Sequence, residues 1–224
     1  MPSLSSWNKK IRMNRLLNRE ALATIERRLI EIGWSTLKLL ERADEVAVFG
    51  SFAMNGDLSR KDVDIFAVGD FKGRITSCVD LMVVSKSQLS SAEWLESEVA
   101  GHIAKYGKWL KGTPEWACQA ATTKETVLSK ARRIESHLKG LRKNWRYMGG
   151  KYRDKHLTAI RRHLQRLECL INGQFVPPSK LLDESWKSKK ADGWITELNE
   201  ESELNLTEDD IAFLSRELQS VSVV

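Results

Sequence analysis

The chain has no apolar run approaching the roughly 20 residues that a membrane-spanning helix requires. Its first stretch, Met1 to Lys10, lacks the apolar core of a signal peptide. Both absences lead to the expectation of a cytoplasmic protein with no membrane partner. Cysteine is scarce. Cys78, Cys118 and Cys169 are scattered, an odd number with no paired spacing. That argues against a disulfide framework and against a zinc site, and it suits a reducing compartment. The four histidines, His102, His137, His156 and His163, show no metal-ligand spacing and read as ordinary side chains. No internal repeat divides the sequence.

What is present describes a folded protein. Apolar residues make up 42% and charged residues 29%, which places the chain among globular rather than disordered sequences. Its 224 residues allow one large domain or two small ones. The net charge of +6 is unevenly spread. Residues 124–166 hold fourteen Lys/Arg against three Asp/Glu, a local +11, which leaves −5 for the remainder. Such a segment suits a polyanion or phosphate-bearing partner, or else is a solvated helix face. Trp145, Tyr147 and Tyr152 interleave with these cations, as aromatics do in single-stranded nucleic-acid sites. The competing reading places them in the core of a helical hairpin.

The densest chemical signal lies between residues 46 and 84. Val46 to Phe49 reads as an apolar strand ending in Gly50-Ser51. Asp62-Val-Asp-Ile follows, and then Val79-Asp80-Leu81 in a third strand. Side chains two apart on a strand share a face, so Asp62 and Asp64 point together while Val63 and Ile65 point away. The two glycines of the Gly69–Arg74 loop predict an antiparallel hairpin between the second and third strands. Asp80 joins the other two carboxylates if the register allows, and a slip of one residue turns it away. Carboxylates gathered on one face call for a cation between them. Hard cations such as Mg²⁺ take oxygen ligands, and two such ions stabilise the attacking and leaving oxygens of a phosphoryl or nucleotidyl transfer. Glycine at position 50 permits close backbone approach to a ligand, and the Ser51 hydroxyl with free N–H groups can hold phosphate oxygens.

Around this core the periodicities predict helices. Asn18 caps a stripe of Leu22, Ile25, Leu29, Ile32, Leu37 and Leu40, with Gly33 as a possible interruption. A helix capped by Ser90 or Ser91 runs to about Ala104, followed by a closing strand within Tyr106–Gly112. Pro114 marks the boundary of two domains, 1–114 and 115–224. Beyond it, stripes at Val127–Leu141 and Leu157–Ile171, separated by Gly149-Gly150, predict two antiparallel helices. A short helix at Ser179–Lys189, a turn around Trp194–Leu198 and a final helix from Thr207 complete the pattern.

An apolar strand, Gly50-Ser51, ten intervening residues, Asp62-Val-Asp-Ile65 and the later Asp80 together resemble the nucleotidyltransferase superfamily. That superfamily includes DNA polymerase beta, the minimal nucleotidyltransferases and the aminoglycoside nucleotidyltransferases. The resemblance covers about residues 18–112. It implies an α+β fold, with an N-terminal mixed-sheet nucleotidyltransferase domain followed by a C-terminal α-helical, acceptor-binding domain. It also implies that Gly50 and Ser51 contact a nucleoside triphosphate, with ATP the usual donor. Asp62 and Asp64 would hold two Mg²⁺ ions, and Asp80 would complete the metal site and help activate the attacking hydroxyl. Two departures stand out. Lys61, beside Arg60, occupies a place that is often a small residue in the family. The Asp64-to-Asp80 spacing is shorter than in many minimal members.

Two functions from different classes follow. One is a Mg²⁺-dependent transferase moving a nucleoside monophosphate from NTP to a hydroxyl, on RNA such as a tRNA end or on a protein, through the basic 124–166 helices. The other is a non-catalytic nucleotide- or partner-binding module, such as an antitoxin-like regulator.

Overall fold

The computed structural model describes residues 17–55, 62–144, 147–179 and 181–182. Most of the expected Ser179–Lys189 helix, the Trp194–Leu198 turn and the helix from Thr207 lie outside the described residues. The architecture is α+β, and the chain divides into two compact units, Met1–Ala121 and Thr122–Val224.

In the first unit, α1 (Arg19–Glu31) starts where the Asn18 side chain accepts the Ala21 N–H at 2.8 Å. The apolar stripe expected to continue through Leu40 is cut at Gly33, whose φ of +79° suits glycine. Ser35 then caps a separate helix, α2 (Thr36–Arg42). The break shifts the helical phase. Leu29 and Leu39 are buried, whereas Leu22 and Leu37 face solvent.

Five strands follow: β1 (Glu45–Phe49), β2 (Val63–Val68), β3 (Arg74–Ile75), β4 (Val79–Val84) and β5 (Lys108–Lys111), ordered β3-β4-β2-β1-β5. β1 leads directly into a short helix, α3 (Gly50–Asn55). The expected antiparallel hairpin of β2 with β4 is corrected: the two strands run parallel. The chain leaving β2 passes to the far side of β4, where two-residue β3 takes up the antiparallel hairpin role instead. The Thr76 hydroxyl fixes that turn by accepting the N–H groups of Cys78 and Val79.

The single helix expected after β4 is three: α4 (Lys86–Leu89), α5 (Ala92–Leu95) and α6 (Glu98–Tyr106). Ser85, Ser91 and Ser97 each accept a backbone N–H and restart the helix. This is how serine competes with helix interiors and favours caps.

The sheet buries both faces. Val46, Val48, Val63, Ile65, Val79 and Leu81 pack with Ile25, Leu29 and Leu39 of α1 and α2. Ala47, Phe66, Val68 and Val84 pack with Ala100 and Ile103 of α6 and with Trp116. Trp116 sits in a 3-10 turn (Glu115–Cys118) and donates from Nε1 to Glu45 Oε2 at 2.9 Å. The first unit therefore extends past Pro114, because this turn belongs to its core.

The second unit is built on α7 (Lys124–Asn144) and α8 (Gly150–Ile171). Val127, Ala131, Ile134, Leu138 and Leu141 pack with Ile160, Leu167 and Leu170, and Val176 and Leu182 fold back onto them. No helix among the described residues is long and apolar enough to cross a membrane.

Candidate active site

The parallel register sets Asp64 directly opposite Asp80, as Val63 is opposite Val79 and Ile65 opposite Leu81. Side chains paired in register share a face of the sheet. Both aspartates therefore lie on the face whose far end is filled by Phe66, Val68 and Val84. Asp62 precedes β2 and is exposed. β1 runs antiparallel to β2 with Phe49 opposite Asp64, which brings the end of β1, and with it Gly50, beside that carboxylate.

Gly50 has a φ of +70°, and a Cβ built on it would collide with the Asp64 carboxylate. Both facts require glycine here, one for conformation and one for space. Ser51 is half-buried in the first turn of α3. The Gly50 N–H donates to His102 Nε2 at 3.3 Å. The His102 ring lies edge-on to Phe49 at 6.1 Å and against Tyr106 at 5.5 Å. His102, on α6, stands at this site although its sequence neighbourhood gives no sign of it. Only a contact spanning 52 residues places it there.

The charge of Asp62 acts on both Asp64 and Asp80, and that of Asp80 acts on Asp64. Burial first, and then the charges of Asp62 and Asp80, push Asp64 up to about 6. Burial and Asp62 also raise Asp80. Among the described residues, however, no three His, Cys, Asp or Glu side chains converge tightly enough to hold a metal as they stand. The two observations sense different ranges. Charges repel across several ångströms, farther than the ligands of one metal ion stand from it. The donor chemistry itself fits a hard divalent cation. It offers carboxylate oxygens only, two of them from paired strands, and a strained Asp64 charge that a cation would favour.

Tyr147 and Tyr152, in the second unit, are 88% and 66% exposed, so they do not form the core of the helical hairpin. The side chain of Trp145 lies outside the described residues. The histidines of that unit are not scattered either. His137 Nε2 lies 3.2 Å from His156 Nδ1, and the His137 and His163 rings are 5.9 Å apart.

No protein-family model matches the chain, and no curated protein matches it. One solved structure similar to it is a crystal structure of a mutant of the toxin–antitoxin pair MntA–HpeT. The two are 16% identical, with 53% of this chain and 96% of that chain covered and a TM-score of 0.26. A likeness of that size carries no argument about this chain, whose chemistry is read from its own residues.

Proposed function

We propose that the first unit is a Mg²⁺-dependent nucleotidyltransferase that moves a nucleoside monophosphate from an NTP, with ATP the first candidate, to a hydroxyl acceptor. The observation that carries this reading is the Asp64–Asp80 register beside Gly50. It gathers two carboxylates and a side-chain-free backbone turn at one end of one sheet face, with Asp62 within electrostatic reach.

Asp62, Asp64 and Asp80 would hold two Mg²⁺ ions, which supply charge stabilisation for the phosphates. Gly50 admits the Asp64 carboxylate beside the turn, and the Ser51 hydroxyl at the start of α3 would donate to the triphosphate oxygens. Asp80, less buried than Asp64, takes the proton of the acceptor hydroxyl. The acceptor oxygen then bonds to the α-phosphorus as the bond to the bridging oxygen breaks, and pyrophosphate leaves. His102 is a positioning residue that holds the Gly50 N–H and hence the turn. The +11 charge of residues 124–166 and the exposed Tyr147 and Tyr152 favour RNA over a protein as the acceptor.

The test is release of pyrophosphate and transfer of label from labelled NTPs to candidate RNAs in Mg²⁺. Wild type transfers label, and Asp64→Ala and Asp80→Ala each lose it by at least ~100-fold. Transfer by both variants at the wild-type rate, or none by any protein with any acceptor, overturns the enzyme reading. One alternative is a nucleotide- or partner-binding module without turnover, which needs no convergence of the described carboxylates on a metal. That module would bind NTP and release no pyrophosphate.

A further inference from the structure

We propose, resting on the transferase reading of the first unit, that Ile75 is the acceptor contact of the site. It packs against the base of the 3′-terminal nucleotide of an RNA whose terminal hydroxyl meets Asp80.

A single row of side chains crosses the sheet here. Phe49 on β1 is opposite Asp64 on β2, Asp64 is opposite Asp80 on β4, and Asp80 is opposite Ile75 on β3. Residues paired in register share a face, so all four point the same way. β3 is the outer strand, and Ile75 is 80% exposed there. The hydrogen bonding says how close Ile75 stands to Asp80. The Thr76 N–H donates to the Val79 carbonyl oxygen at 2.8 Å, which makes residues 76 and 79 a hydrogen-bonded pair. Antiparallel pairs alternate, so Ile75 and Asp80, next along, form a non-hydrogen-bonded pair with Cα atoms about 4.5 Å apart. Side chains lie closer together in such a pair.

Three contacts fix Ile75 in this place. The Thr76 hydroxyl accepts the N–H groups of Cys78 and Val79 and sets the turn. Arg74, on the opposite face, donates from Nη1 to the Ile32 carbonyl oxygen at 2.9 Å. A Cβ on Gly73 would run into the Leu81 carbonyl oxygen, so glycine lets β3 lie close on β4. A strand of two residues, held at three points, thus presents an apolar side chain to solvent beside a carboxylate. Single exposed apolar residues are ordinary, and Ile30 and Leu37 are two of them. Ile75 differs because it borders the acid that receives the acceptor's proton.

The other sides of Asp80 are taken. Towards β2 stand Asp64 and then Phe49, followed by the Gly50-Ser51 turn proposed for the triphosphate. Two residues further along the same face come Phe66 and Met82, with Trp94 stacked on Phe66 at 5.3 Å. Among the described residues no strand pairs with the outer edge of β3. A hydroxyl at Asp80 therefore brings the group that carries it over Ile75. In an RNA that group is the terminal nucleoside. The face of its base covers the aliphatic side chain and takes apolar surface out of water. The Ile75 side chain has no donor or acceptor, so the contact accepts any of the four bases and disfavours a terminal phosphate.

The experiment measures steady-state transfer of label from ATP in Mg²⁺ to a short single-stranded RNA ending in a 3′-hydroxyl. The proteins are wild type, Ile75→Thr, Ile75→Val and Ile30→Thr. Ile75→Thr keeps a β-branched residue at an exposed position, so the strand survives. It raises KM for RNA roughly tenfold and leaves kcat and KM for ATP within about twofold of wild type. Ile75→Val recovers most of that loss, and Ile30→Thr leaves every constant unchanged. On an RNA whose last nucleotide is abasic, wild type and Ile75→Thr have the same KM. Equal KM for the intact RNA in wild type and Ile75→Thr overturns the contact while the transferase reading stands, as does transfer to another acceptor and to no RNA. A gap that persists on the abasic RNA also overturns it, and so does a matching rise in KM for ATP. No transfer by wild type to any acceptor overturns both.

Discussion

The Asp64 carboxylate lies in the space that a side chain on Gly50 would occupy. Gly50→Ala therefore meets two penalties, a left-handed backbone and a displaced carboxylate. The variant loses about 1–2 kcal/mol of stability from the backbone alone and, on the proposed function, most of its nucleotide binding. Combining it with Asp64→Ala removes the collision and recovers part of the stability loss. Denaturant unfolding of the four proteins measures that coupling, and strict additivity would contradict the contact.

Asp64 is raised from 3.8 to about 6, so the folded protein holds this proton more tightly than the unfolded chain does. This contribution to stability is fully present below about pH 4. It is lost as pH rises through about 6, at a cost of about 2 kcal/mol after allowance for solvent screening. In EDTA, Asp64→Asn is accordingly more stable than wild type at pH 7, and the gap closes in acid. Thermal unfolding of both proteins across this range reads the difference.

His163 has the opposite sign. Its pKa is depressed to about 4, so the unfolded chain takes up this proton first. The second unit loses stability as pH falls from about 6.5 towards 4. His163→Gln flattens that slope, as followed by unfolding monitored through signals of α7 and α8.

His102 accepts the Gly50 N–H. His102→Ala leaves that donor without its partner and costs about 1 kcal/mol. On the proposed function, NTP affinity falls further than stability does, because the turn proposed to meet the phosphates loosens. His102→Gln, whose amide oxygen can accept in the same direction, recovers part of both. Equal NTP affinity in wild type and His102→Ala would remove the histidine from the site.

Trp116 packs against Phe66, Trp94 and Trp109. Trp116→Ala costs about 3–5 kcal/mol through the lost ring and the cavity it leaves. It also leaves the half-buried Glu45 carboxylate without its indole donor. Denaturation followed by tryptophan fluorescence should show the first unit unfolding early.

Much of this was legible in the chain. The Asn18 cap, the strand Glu45–Phe49, the closing strand before Gly112 and the two long basic helices follow from residues a few positions apart. Asp64 and Asp80 fall on strands as their neighbours implied, whereas Asp62 stands just before β2, and the demand for glycine at position 50 comes from its positive φ and the Asp64 carboxylate rather than from adjacent residues. The single helix expected after β4 was a misreading of local chemistry. One cap at Ser90 or Ser91 is expected, but Ser85, Ser91 and Ser97 each start a helix of their own.

The sequence by itself determined which side chains share a strand face or a helix stripe, because backbone period fixes that within a few residues. Only the tertiary structure decided that β2 and β4 run parallel with Asp64 facing Asp80. It alone brought His102 to Gly50, turned Trp116 into the first unit's core and gathered three histidines into one cluster. These are meetings of distant segments, and what selects them is how whole apolar faces pack, a property that no short window of sequence contains.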